Sequence, residues 1–76
     1  MKLFLDVGNT RIKWVDSTDN FIRIADDLEA LAEQWSALEL ETNALCFIGG
    51  CCVRGAEFEA SIAGLARRLF DVQITW

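Results

Sequence analysis

The sequence predicts a small α/β domain in which a mixed five-stranded sheet carries two helices, in the order β-β-β-α-β-α-β. Three observations predict it. Three short runs of β-type pattern, divided by turn formers, precede position 26; two later segments repeat apolar residues at helical spacing; and a short β-type run follows each of those segments. Strands joined by tight turns pair antiparallel, whereas strands separated by a helix pair most simply in parallel, so one sheet is expected to hold both arrangements.

Residues 2–7, Lys-Leu-Phe-Leu-Asp-Val, are nearly continuous apolar sequence, as expected of a central strand buried on both faces. Residues 11–16 alternate instead, Ile12 and Trp14 against Lys13 and Val15, which suits a strand with one more solvated face. Ser17-Thr18-Asp19-Asn20 is dense in turn formers, and β-type sequence resumes over residues 21–25. Asp26 then reads as a helix N-cap with Glu29 three residues on, and Leu28, Leu31, Trp35 and Leu38 recur at helical spacing. The acids Asp26, Asp27 and Glu29 are read as capping and as favoured by the helix dipole, not as a metal site.

Leu45-Cys46-Phe47-Ile48 reads as a short buried strand ended by Gly49-Gly50, parallel to the first. A second helix fits residues 56–70, with Phe58, Ile62, Leu65 and Leu69 on one face and Arg67 and Arg68 near its end, where the dipole favours cations. Val72, Ile74 and Trp76 alternate with Gln73 and Thr75 and make the last strand.

A chain of 76 residues is one small domain at most, yet 53% of it is hydrophobic, with three Trp and five Phe. That composition excludes disorder and asks for more burial than so short a chain covers, so it implies an oligomer or a place in something larger. A net charge of −5 and a pI near 4.4 exclude non-specific nucleic-acid or anionic-membrane surfaces. Only three apolar residues stand between Lys2 and Asp6, too few for a secretory leader, and no run approaches a membrane span, so a cytoplasmic location is expected. Cys46, Cys51 and Cys52 have no C-x-x-C spacing, and there is no histidine; they are read as reduced thiols, and Ser-His and Cys-His chemistry is excluded.

Function concentrates in Asp6-Val7-Gly8-Asn9-Thr10, between two β-type runs. Glycine at position 8 permits backbone geometry that a β-carbon resists, and Asn9 and Thr10 add side-chain donors beside the amides of the turn. Such a turn admits two readings: a hairpin loop that binds nothing, or a loop whose successive N–H groups hold a phosphate. In the second, Asp6 ends its strand where a divalent cation bridging the phosphate needs a hard oxygen. Lys13 is then a neutralising charge, and otherwise an ordinary exposed strand lysine. Arg54, after the predicted strand carrying Gly49 and Gly50, reads either as a phosphate contact or as a solvated loop cation, the latter being the plainer reading.

Residues 1–14, MKLFLDVGNTRIKW, resemble the amino-terminal phosphate motif of the type III pantothenate kinases, an apolar strand followed by D-x-G-N-[T/S] and often a Lys-Trp pair. Asp6, Gly8, Asn9, Thr10, Lys13 and Trp14 fall on it, and Leu65-Ala66-Arg67-Arg68-Leu69-Phe70 before a β-type run also looks like the matching family segment. The resemblance implies a ribonuclease-H-like half-domain of the actin-like ATPase and sugar-kinase superfamily, with residues 1–76 the amino-terminal portion of its nucleotide-binding domain. It implies ATP and Mg²⁺ as ligands, a monovalent cation (K⁺ or NH₄⁺), and transfer of the γ-phosphoryl group to pantothenate in coenzyme A biosynthesis. The implied nucleotide contacts are Asp6, Gly8, Asn9, Thr10, Arg11 and Lys13, with Asp6 also the metal ligand.

Two departures limit what is carried over. The family often has a serine pair where this chain has Gly49-Gly50-Cys51-Cys52, and its catalytic aspartate lies in a later Gly-x-Asp-Arg motif with no match here. No catalytic residue is therefore assigned, activity of these residues alone is not expected, and pantothenate is a partner only if the missing part is supplied. Homodimerisation, or association through an exposed sheet edge, is expected from the apolar surface such a half-domain leaves open. The alternatives are a non-catalytic nucleotide-binding or protein-interaction module, and a small structural α/β domain.

Overall fold

The computed structural model describes residues 1–38 and 45–76. The elements are β1 (Lys2–Val7), β2 (Ile12–Asp16), β3 (Arg23–Ala25), α1 (Leu28–Ser36), β4 (Phe47–Cys52), α2 (Ala56–Phe70) and β5 (Ile74–Thr75), in the expected order. They form one mixed five-stranded sheet, β3-β2-β1-β4-β5. β1 is its centre, antiparallel to β2 with Asp6 opposite Lys13, and parallel to β4 with Asp6 opposite Cys51. β3 and β5 are shorter than their sequence patterns, and both lie at the sheet's edges.

One face of the sheet is covered. β3, β4 and β5 all run parallel to β1, and the two helical connections, β3 to β4 and β4 to β5, both advance toward the same edge. Crossovers of one hand that advance the same way place their helices on the same side. Accordingly α1 and α2 touch each other, and one core takes Leu3, Leu5 and Val7 from β1, Ile12 and Trp14 from β2, Leu31 and Trp35 from α1, and Ile62 and Leu65 from α2.

The two-sided burial expected of β1 is therefore corrected. Its residues alternate, Leu3, Leu5 and Val7 inward, and Lys2, Phe4 and Asp6 outward. Phe4 on the outer face leans on Phe47 with ring centroids 6.0 Å apart, and Ile24 also lies exposed there.

Aromatic packing ties the layers together. Trp35 meets Trp14 edge-on (6.3 Å, 85°) and Phe70 at 5.5 Å, joining α1 to β2 and α2. Such pairs contribute about 0.5–1.5 kcal/mol each beyond their buried area. The Trp14 Nε1–H donates to Gln34 Oε1 (2.6 Å), and Gln34 Nε2 donates to the Ile24 carbonyl (2.9 Å), so one amide on α1 holds both a core indole and an edge strand.

Two local readings also shift. The α1 N-cap is Asp27, not Asp26: its carboxylate accepts from the Ala30 amide at 2.8 Å, and either aspartate has the chemistry for that role. Gly49 to Cys52 lie inside β4 instead of ending it. A β-carbon on Gly50 would stand 2.7 Å from the Leu5 carbonyl oxygen, so the glycine serves the close approach of β4 to β1. Gly55, at φ +93, is the residue that turns the chain into α2.

Candidate functional site

β1 and β2 are joined by Gly8-Asn9-Thr10-Arg11, closed by one hydrogen bond from the Gly8 amide to the Arg11 carbonyl (2.9 Å). No residue of this turn has positive φ, so it is not one of the primed turns common in two-residue hairpins. A β-carbon on Gly8 would make an ordinary 3.5 Å contact with the Arg11 oxygen. The expectation that Gly8 is needed for its backbone geometry is corrected: neither the conformation nor the surrounding protein requires glycine there.

The turn borders a cleft of about 320 Å³ lined by Asp6, Gly8, Thr10, Arg11 and Lys13. Five of the six residues singled out from sequence thus surround one space, and the sixth, Asn9, stands at the exposed tip of the turn. Among the described residues nothing accepts a hydrogen bond from the backbone amides of Asn9, Thr10 and Arg11. Lys13 and Arg11 enter none of the ion pairs among the described residues, so their charges are not neutralised within the fold. Three open donors beside two unpaired cations suit an anion.

Trp14 of the Lys-Trp pair faces the core, on the side of β2 opposite Lys13. An apolar groove of about 230 Å³, whose outward-facing apolar side chains are Phe4, Val15 and Ile22, continues from Asp6 and Lys13 along the open face of the sheet.

Asp6 takes its neighbour from β4. The Cys51 thiol is 3.5 Å from Asp6 Oδ1, and this bond, with desolvation and the carboxylate's charge, pushes the Cys51 thiol above its ordinary pKa. A thiol held protonated is a poor nucleophile, so Cys51 is a donor to Asp6. Cys46, Cys51 and Cys52 are all free. No three metal-ligating side chains come together among the described residues. A lone exposed carboxylate fits Mg²⁺, which keeps most of its waters and is commonly held by one or two carboxylates plus ligand phosphates. It does not fit a cation that must be caged by protein alone.

Arg54 is the residue that sequence reasoning underrated. It is half-buried, donates Nε–H to the Gly8 carbonyl at 2.5 Å, and lies over the Phe58 ring, 4.5 Å from its centroid. The solvated-cation reading is corrected, because one contact ties the guanidinium to the turn and the other seats it on α2. A basic residue four positions before an aromatic at a helix start was the available signal.

No protein-family model matches the chain, and no curated protein matches it significantly. No helix among the described residues is long and apolar enough to cross a membrane.

Proposed function

We propose that this chain is the ATP-phosphate-binding portion of an actin-like kinase of the type III pantothenate kinase kind. The observation that carries the reading is the cleft beside the β1–β2 turn, where three amides with no acceptor among the described residues stand next to Asp6, Arg11 and Lys13. In this reading the amides and Thr10 receive the outer phosphate oxygens, Arg11 and Lys13 neutralise them, and Asp6 holds Mg²⁺ directly or through water. The magnesium ion supplies charge neutralisation at the phosphates when bound. Gly8 keeps a side chain out of the ligand's path, a role consistent with a glycine that the fold itself does not demand.

Two further features support the ribonuclease-H-like half-domain: the antiparallel β1-β2-β3 opening, and the helix-linked strands β4 and β5 added in parallel on the other side of β1. With no Gly-x-Asp-Arg motif in the sequence, phosphoryl transfer to pantothenate is assigned only to a site completed by further residues. The monovalent cation belongs to that completed site, and self-association through the apolar outer face belongs to the same proposal.

The second reading is a nucleotide-binding or interaction module without turnover. One titration separates these from a structural domain. Amide-resolved NMR with Mg-ATP, using AMP as the control lacking outer phosphates, is expected to move signals of residues 6–13 with ATP alone. A well-dispersed spectrum indifferent to ATP would sink both binding readings. Turnover restored by a separately supplied second half would favour the kinase over the module.

A further inference from the structure

We infer that Arg54 is a positioning residue of this site, fixing the Gly8–Asn9 peptide so that the turn is ready for a metal-bound polyphosphate before the ligand arrives. The inference rests on the phosphate-loop reading and adds the part that organises the loop. Residues 8–11 do not organise themselves: they share one cross-turn hydrogen bond, and none adopts a left-handed conformation that would lock a primed turn. The additional restraint comes from the segment after β4, 46 residues away in sequence.

Arg54 has two anchors. Its Nε–H meets the Gly8 carbonyl, and its guanidinium lies over Phe58 in the first turn of α2. A planar cation held at a carbonyl and against a ring has one orientation, and a lysine cannot reproduce both contacts. The Gly8–Asn9 peptide is trans and planar, so directing its C=O at Arg54 turns the Asn9 N–H away from Arg54. A cation on the oxygen also polarises the peptide and strengthens that N–H as a donor. Arg54 does not line the cleft, so its effect passes through the loop. The carboxylate of Asp6 disfavours a bare phosphate in the same cleft and favours one that brings a divalent cation, as the polyphosphate of the proposed function does.

The test uses the 76-residue chain with Arg54→Ala, Arg54→Lys and Phe58→Leu, far-UV circular dichroism and the Trp14 and Trp35 indole signals serving as controls for folding. Without ligand, the Asn9 amide signal is expected to shift and broaden in both Arg54 variants. Affinity for Mg-tripolyphosphate is expected to fall about tenfold in Arg54→Ala and nearly as much in Arg54→Lys, with a loss of roughly threefold in Phe58→Leu. An Arg54→Lys variant that binds like the parent chain, with an unmoved Asn9 signal, overturns the inference and leaves Arg54 a simple charge. Failure of the parent chain to bind Mg-tripolyphosphate overturns instead the phosphate-loop reading and the ligand assigned here. The Asn9 signal in ligand-free protein decides the positioning contact in either case.

Discussion

The two turns at the ends of β2 are made of similar residues and differ in what they do with their hydrogen bonds. In the turn after β2, one Asp16 oxygen accepts from the Thr18 amide (2.8 Å), the Thr18 hydroxyl and the Asp19 amide (3.3 Å). Asp19 accepts from the Phe21 amide and pairs with Arg23 at 2.6 Å, while the Asn20 amide returns to the Asp16 carbonyl. Arg23 also reaches Asp16 (3.4 Å) and lies over Trp14. The turn before β2 has one internal bond and one from Arg54, and three of its amides meet no acceptor among the described residues. A turn that only reverses the chain consumes its own donors; one that leaves them open is held from outside and is available to a ligand.

The strongest way to break this contrast is Asp16→Ala. The carboxylate is buried, and its loss removes the acceptor of two amides and a hydroxyl and one of the two carboxylates on Arg23. A destabilisation of about 3 kcal/mol is expected in urea unfolding, with the β1–β2 turn keeping its ligand affinity. A cost below about 1 kcal/mol would mean that the second turn is held by something other than Asp16.

Acid titration sharpens the same point. Asp16 has its pKa lowered chiefly by the Thr18 hydroxyl, and Asp19 chiefly by Arg23. A carboxyl whose folded pKa lies below its unfolded value contributes stability that is present above the unfolded value, near 3.8, and is lost as pH falls through the lower folded one. Urea midpoints measured from pH 6 down toward pH 2 should fall through that window, and Asp16→Asn should flatten the fall. An equally steep acid limb in Asp16→Asn would move the linkage to other carboxyls.

Gly8→Ala examines the open turn. The fold tolerates a β-carbon there, so stability should change by no more than about 0.5 kcal/mol. If the turn holds phosphate as proposed, Mg-ATP affinity should nonetheless drop by about tenfold, because the added methyl would obstruct the ligand's approach to the main chain. Unchanged affinity would remove the reason for a glycine at this position.

The order of elements, both helices and the grouping of Asp6 through Lys13 were legible in local pattern, because each depends on neighbours in sequence. What was illegible depends on the order of strands in the sheet. Leu3-Phe4-Leu5 reads as apolar on both faces, and only the arrangement of the crossovers reveals that both helices cover the Leu3 and Leu5 side. Gly49-Gly50 is punctuation in a local reading, yet Gly50 is a strand residue because Leu5 comes so close. The spacing of Arg54 to Phe58 is local, but its contact with the turn is not, since its carbonyl partner lies 46 residues back.

The smallest effect separates the two turns by asparagine alone. Asn20 sits at φ 59, a left-handed conformation that asparagine tolerates better than most residues, whereas Asn9 has no such backbone. Asn20→Ala should therefore cost about 1 kcal/mol and Asn20→Gly close to nothing, since glycine enters that region freely. Asn9→Ala should leave stability within about 0.3 kcal/mol, because its side chain is exposed and no left-handed strain is introduced. Urea midpoints of the three variants, measured side by side, decide it. Equal costs at positions 9 and 20 would mean that the first turn, like the second, depends on its asparagine for its shape, and that its open amides are incidental to an ordinary hairpin.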